Sequence, residues 1–174
     1  MGYDRNYGSS MWDLINNHFK IQKIGVTVEI GTYLGHWAQG ALNSLDIDKL
    51  FSVDSGKKGN WFKAISSWLG RVGSAAFDRA QYLKGTSEEW GRVFPLPIDL
   101  LFIDGAHTYE GVKVDLEIWY PKVKKGGLVI CHDAQEPETL RGIQEYFDLH
   151  KLPFKKGYLG PIGKPEILCA WLIK

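Results

Sequence analysis

Several things are scarce in this chain of 174 residues, and each scarcity removes a class of function. No apolar run is long enough to cross a membrane and no charged-then-apolar leader follows Met1, so the reading is a soluble, cytoplasmic chain without a membrane partner. Cysteine is nearly absent: Cys131 and Cys169 are the two present, each inside an apolar strand-like run. Buried free thiols in a reducing compartment follow, and neither a disulfide framework nor a cysteine zinc site is supported. Charge of one sign is missing too. With 21 Lys and Arg against 20 Asp and Glu, the net charge is +1, which gives no broad basic field, and nucleic acid is not expected as a partner. Repeats and low-complexity linkers are absent. The length suits a single domain over 1–174, with 1–24 as a leading segment and helix, and leaves little room for a separate substrate domain.

What the chain does have is organised around residues 26–37. A short β-branched run ends in Glu29-Ile30-Gly31-Thr32-Tyr33-Leu34-Gly35, then a helix-compatible segment continues through Leu45. Gly31 and Gly35 allow a sharp bend and leave no Cβ in the way of a ligand lying against the peptide and the helix start. The next apolar strand, 50–53, closes on Asp54, at about the distance where a dinucleotide-type fold places a carboxylate on ribose hydroxyls. The glycine spacing is not GxGxxG, so the turn lacks the close glycine pair that admits a pyrophosphate. That argues against a nicotinamide or flavin dinucleotide and for a nucleoside ligand without phosphates.

The remaining elements alternate. Helical spacing of Met11, Trp12, Leu14, Ile15, Phe19 and Ile21 predicts a leading helix to about Lys23, capped by Ser9 or Ser10, with Tyr3, Tyr7 and Trp12 read mainly as packing. The loop from Ser55 through Phe62 is read either as a cofactor or acceptor contact or as a solvated turn. A helix over 63–80, with breaks at Gly70 and Gly73, leads to a third strand at 81–84. Residues 98–103 are almost wholly apolar, as a central parallel strand buried on both faces must be, and end at Asp104. A helix follows over 109–120, with Val112, Leu116 and Trp119 on one side and Asp115 and Glu117 read as solvated charges, a role for Asp115 in orienting a neighbour being the alternative. Residues 122–127 read as a basic surface turn, 128–131 as the fifth strand, and 139–150 as a helix. The candidate strands 154–159 and 166–173 flank a Gly-Pro-Ile-Gly-Lys-Pro turn.

Three blocks, Glu29 to Gly35, Ile98-Asp99-Leu100-Leu101-Phe102-Ile103-Asp104-Gly105-Ala106-His107-Thr108-Tyr109-Glu110-Gly111-Val112 and Lys125-Gly126-Gly127-Leu128-Val129-Ile130-Cys131-His132-Asp133, occur in the order and spacing of a known family. The chain resembles the class I S-adenosylmethionine-dependent methyltransferases, in particular a small bacterial-type O-methyltransferase branch similar to catechol O-methyltransferase. The resemblance covers about residues 26–133. It implies an α/β, Rossmann-like fold: a mostly parallel seven-stranded sheet with helices on both faces and a C-terminal antiparallel hairpin. It also implies that Glu29 contacts the methionine end of the cofactor, that Gly31, Thr32, Tyr33 and Gly35 line its cradle, that Asp54 holds the ribose hydroxyls, and that Ser55 is a cofactor contact. Thr86 and Ser87, helix-capping types in their own right, would meet the adenine ring, and Asp104 would close the site.

Methyl transfer from a sulfonium is an in-line displacement, so the protein chiefly has to position an acceptor and remove its proton. His107 stands where relatives of catechol O-methyltransferase place a proton-accepting lysine, which makes His107 or Asp104 the expected base; a histidine capping the next helix is the competing reading. Asp104, His132 and Asp133 form a candidate metal set for Mg or Mn. In metal-dependent relatives an acidic residue takes the place of His132, and an imidazole tilts the site toward Mn, Fe or Zn, or leaves it without metal. The expected activity is O-methylation of a small-molecule acceptor, with a homodimer open. The alternative is a non-catalytic S-adenosylmethionine-binding module or partner subunit.

Overall fold

The computed structural model describes residues 11–56, 61–159 and 168–174, with Trp61 as backbone alone. Tyr3, Tyr7, Ser9, Ser10, the lysines of the 57–60 loop and the 160–165 turn lie outside the described residues. In chain order the elements are α1 (Met11–Phe19), β1 (Ile24–Ile30), α2 (His36–Ser44), β2 (Ile47–Asp54), α3 (Trp61–Val72), β3 (Ala80–Lys84), α4 (Ser87–Val93), β4 (Ile98–Ile103), α5 (Tyr109–Trp119), β5 (Val123–Cys131), α6 (Pro137–Leu149), β6 (Lys155–Tyr158) and β7 (Leu168–Ile173).

Seven strands form one sheet in the order β3-β2-β1-β4-β5-β7-β6. Strands β1 to β5 pair in parallel, whereas β7 runs antiparallel to both β5 and β6. The order reverses between β1 and β4, which puts a crevice at the carboxyl ends of the central strands, where open α/β sheets take ligands. Each sheet face buries its own core. Helices α1 to α3 cover one face through Leu14, Ile15, Ala38, Ala41 and Trp68; α4 to α6 cover the other through Phe94, Leu116, Trp119, Ile143 and Phe147. The Trp37 ring stacks on Phe102 at 4.3 Å and 9°, and Trp12 packs on Trp37, so α1 and α2 close over β4 through aromatic contact.

Four expectations are corrected here. The leading helix stops at Phe19, because Lys20 and Ile21 take left-handed backbone (φ 53° and 59°); Ile21 is 86% exposed and is not part of the helix's apolar face. The helix after β2 ends at Val72, where Gly73, one of the two expected break points, turns the chain at φ 75°; it runs through Gly70 and does not continue to residue 80. The basic turn at 122–127 is mostly strand: β5 begins at Val123, Lys124 pairs with Asp99 at 2.9 Å, and Lys122 donates to the Phe94 carbonyl. Finally, Asp115 is not a solvated helix charge; it is 5% exposed.

Candidate active site

At the carboxyl ends of β1, β2 and β4 the chain opens a cleft of about 910 Å³, within the usual range for small-molecule sites. Gly31 (φ 85°) begins the bend after β1, and a side chain there would overlap the Asp104 carbonyl. The bend therefore fits directly against the exit of β4, and only glycine allows it. Tyr33 follows in left-handed backbone at φ 47°, with its side chain half exposed in the cleft. Gly35 (φ 82°) precedes α2 and packs against Trp68.

Asp54 holds this bend. Its Oδ2 accepts the Tyr33 amide at 2.7 Å and its Oδ1 accepts the Gly56 amide at 2.6 Å. Each oxygen keeps a second lone pair, so a vicinal diol could still donate to it. Ser55 lies beside it on the cleft wall. Across the cleft, Thr86 caps α4: its hydroxyl accepts the Glu89 amide and the Glu89 carboxylate accepts the Thr86 amide, a reciprocal capping box. The neighbouring Ser87 Oγ accepts the Trp119 indole at 2.8 Å.

Glu29 sits one row below the bend. It is 1% exposed, accepts the Ser52 hydroxyl at 2.7 Å, and does not line the cleft. Burial pushes its carboxyl up to about 7, against partial relief from Ser52 and Thr32.

The far end of the cleft holds two carboxylates and two imidazoles. His107 Nε2 is 3.2 Å from both Asp104 Oδ1 and Asp133 Oδ2. His132 Nδ1 is 3.3 Å from the same Asp104 oxygen and 3.2 Å from the same Asp133 oxygen. Ladder hydrogen bonds continue past the strand ends, from the Asp104 amide to Ile30 and from the His132 amide to Ile103, and this aligns the two exits. Burial opposes the Asp104 carboxylate, but the His107 hydrogen bond and the His132 imidazole outweigh it and hold it below its ordinary range. Burial likewise opposes charge on His132, yet the two carboxylates push it up to about 9. His132 in turn brings Asp133 down to about 2. Although its Nδ1 is buried between two oxygens, it meets neither in hydrogen-bonding geometry.

A family model described as a methyltransferase domain matches residues 28–134, a span that runs from β1 to just past Asp133. The chain belongs to this methyltransferase family. Two curated relatives, both described as uncharacterized proteins, match less fully. One, from Sinorhizobium fredii, is 40% identical over 50 residues, 29% of this chain and 6% of that one. The other, from Acanthamoeba polyphaga mimivirus, is 31% identical over 119 residues, 63% of this chain and 51% of that one. The chain thus spans about half or less of the relatives' own length.

Among solved structures, the fold is similar to a precorrin 8w decarboxylase of Methanobacterium thermoautotrophicum (TM-score 0.73, 16% identity, 99% of this chain and 96% of that one). An O-methyltransferase of Bacillus cereus in complex with SAH is similar at TM-score 0.72 and 15% identity, over 97% and 84% of the two chains. An rRNA methylase of Streptococcus thermophilus matches at TM-score 0.66 and 12% identity, over 91% and 93%. The architecture is therefore the Rossmann-like class I methyltransferase fold, and S-adenosylmethionine is the cofactor of the family.

In this methyltransferase domain Gly31, Tyr33, Asp54, Ser55, Thr86, Ser87, Asp104, His107 and Asp133 all border the cleft. Glu29, Thr32, Gly35 and His132 do not line it. Among the described residues, Asp104, His107 and Asp133 form a group that could hold a metal ion, their ligand atoms lying within 4.8 Å of one another; His107 joins the expected acids and His132 flanks them. Among the described residues no helix is long and apolar enough to cross a membrane. Sequence reasoning missed Asp115 as a cleft residue, although Val112, Asp115, Leu116 and Trp119 share one buried stripe of α5.

Proposed function

We propose that this methyltransferase domain transfers a methyl group to a hydroxyl of a small molecule. The observation that carries the reading is His107, partly exposed at the open end of the cleft with its Nε2 3.2 Å from two carboxylate oxygens. S-adenosylmethionine supplies an electrophilic methyl group on a sulfonium. Asp54 would accept the ribose hydroxyls while keeping its two amide bonds, and the Gly31 bend would admit the nucleoside against bare peptide. His107 would take the acceptor's proton, and Asp104 and Asp133 would stabilise the imidazolium that forms. His132, already biased to its charged form, offsets part of the negative charge of the two acids and so keeps them from competing for that proton.

A metal-assisted reading is favoured by one observation, the group Asp104, His107 and Asp133, whose ligand atoms lie within 4.8 Å of one another. His107 Nε2 lies 3.2 Å from an oxygen of each acid. Neighbouring ligands of a tetrahedral first-row metal with bonds of about 2.0–2.1 Å are roughly 3.4 Å apart. Mixed imidazole and carboxylate donors suit manganese, iron or zinc better than magnesium. Bound there, a divalent ion would orient the acceptor oxygen and lower its pKa.

The test is a screen of hydroxylated small molecules for S-adenosylhomocysteine release, run with chelator and with added Mg, Mn or Zn. Release with chelator present supports the His107 route, and release only with metal supports the second reading. Release with RNA and with no small molecule would overturn the acceptor assignment.

A further inference from the structure

We propose that Gln135 is a positioning residue for the transfer: its carboxamide fixes the plane of the Asp133 carboxylate, so that one oxygen of that acid stays turned toward His107. The proposal rests on the methyl-transfer reading above and adds to it the group that orients one of its two acids.

Asp133 follows β5 in left-handed backbone at φ 51°. Its main chain is held on both sides. The His132 amide donates to the Ile103 carbonyl at 2.9 Å, the Ala134 amide to the Leu168 carbonyl at 2.7 Å, and the Glu136 amide to the carbonyl of Asp133 itself at 2.9 Å. These bonds settle where the Cβ of Asp133 stands. They do not settle how its carboxylate is turned, because the torsion between an aspartate's Cβ and its carboxyl group has broad wells rather than sharp ones. A group that grips one oxygen sets it.

Gln135 grips Oδ1. Its Nε2 donates there at 2.7 Å, while its Oε1 accepts the amide of Leu168, the first residue of β7, at 3.1 Å. The direction of the carboxamide follows from chemistry, since an ionised carboxylate can only accept and a backbone N–H can only donate. Turned round, it would set acceptor against acceptor and donor against donor. With Oδ1 engaged, Oδ2 is the oxygen that lies 3.2 Å from His107 Nε2 and 3.2 Å from His132 Nδ1. Leu168 thus holds the Ala134 amide directly and the acid through Gln135, and β7 is itself paired antiparallel to β5. Glutamate in this place would keep the Leu168 bond and lose the one to Asp133, because both of its oxygens accept.

The consequence lies in turnover rather than in binding. An acid that stabilises an imidazolium does so only while its oxygen is held at the ring, and a carboxylate free to rotate spends part of its time turned away.

The experiment is steady-state release of S-adenosylhomocysteine with the hydroxylated acceptor that the screen above selects, together with calorimetric titration of S-adenosylhomocysteine. Wild type, Gln135→Met, Gln135→Glu, Asp133→Ala and the double variant Asp133→Ala/Gln135→Met are compared. Gln135→Met fills similar space without either bond, and it should lose about ten-fold in kcat while acceptor KM and affinity for S-adenosylhomocysteine stay within about two-fold. Gln135→Glu should lose at least as much, although it retains the Leu168 tie. With Asp133→Ala already in place, Gln135→Met should cost no further turnover, since no carboxylate is left to orient. Where Asp133→Ala turns over too slowly to measure, the two single Gln135 variants decide. A residue that merely tied down β7 would leave Gln135→Glu equal to wild type and make Gln135→Met cost the same factor in both backgrounds. Either result overturns the inference, as does an unchanged kcat in both Gln135 variants, and each leaves the methyl-transfer reading intact. If wild type releases S-adenosylhomocysteine with no small molecule in the screen, the two fall together.

Discussion

Asp54 Oδ2 accepts the amide hydrogen of Tyr33 at 2.7 Å, so the acid that ends β2 pins the bend that follows β1. The same carboxylate takes the Gly56 amide through its other oxygen. Replacing Asp54 with Ala orphans both amides, and Tyr33 loses the partner that holds it in left-handed backbone. A loss of about 1–3 kcal/mol of stability is expected from urea denaturation. An unchanged midpoint would mean that the bend stands without the acid.

Gly31 has no tolerance for a side chain. Its positive φ is strained for any L-residue, and the added methyl would strike the backbone carbonyl of Asp104, which has no rotamer to escape into. Gly31→Ala should cost about 4 kcal/mol or more, at the extreme for single substitutions. Gly70, where a Cβ meets nothing within 4 Å, is the control: Gly70→Ala inside α3 should be neutral or stabilising.

Glu29 gives stability a pH dependence of definite sign. Burial raises its carboxyl from 4.5 to about 7, so between those values the native chain keeps a proton that the unfolded chain has released. Stability is therefore fully present below about 4.5 and falls as pH rises through 7, by roughly 3 kcal/mol in all. Glu29→Gln removes this contribution. Its denaturation midpoint should match wild type near pH 5 and exceed it at pH 8. Parallel curves for the two proteins would show that the carboxyl is not so placed.

His107 separates binding from chemistry. His107→Gln leaves the Gly31 bend and Asp54 untouched, so affinity for S-adenosylhomocysteine should stay within about two-fold while turnover falls by roughly 10²–10⁴. Unchanged turnover would remove His107 from proton transfer.

The fold was legible wherever burial on two faces leaves an unbroken apolar run. Residues 98–103 coincide with β4, and Asp104 and Asp133 were expected near each other because strand exits in a parallel sheet converge, whereas His107 was named from the family resemblance. Elements at the margins were harder to read. The start of β5 carries Lys-Lys-Gly-Gly, which reads locally as a turn, yet the Val123 pairing with β4, the Lys124–Asp99 contact and the backbone bonds of Gly126 and Gly127 to Lys174 draw it into the sheet. Ile21 was misplaced because periodicity cannot see a left-handed stop. Asp115 was passed over because charge on a helix suggests solvent. Its spacing from Val112 and Trp119 already put it on the buried stripe.

The central claim is that the cleft under the Gly31 bend holds the nucleoside of S-adenosylmethionine by its sugar. Calorimetric titration of S-adenosylhomocysteine into the wild-type chain and into Asp54→Asn tests it directly. The account predicts one saturable site in the wild type and a loss of about ten-fold or more in the folded variant, as removing a charged hydrogen-bond acceptor requires. Equal affinity in both proteins, or no binding to the wild type, would contradict it.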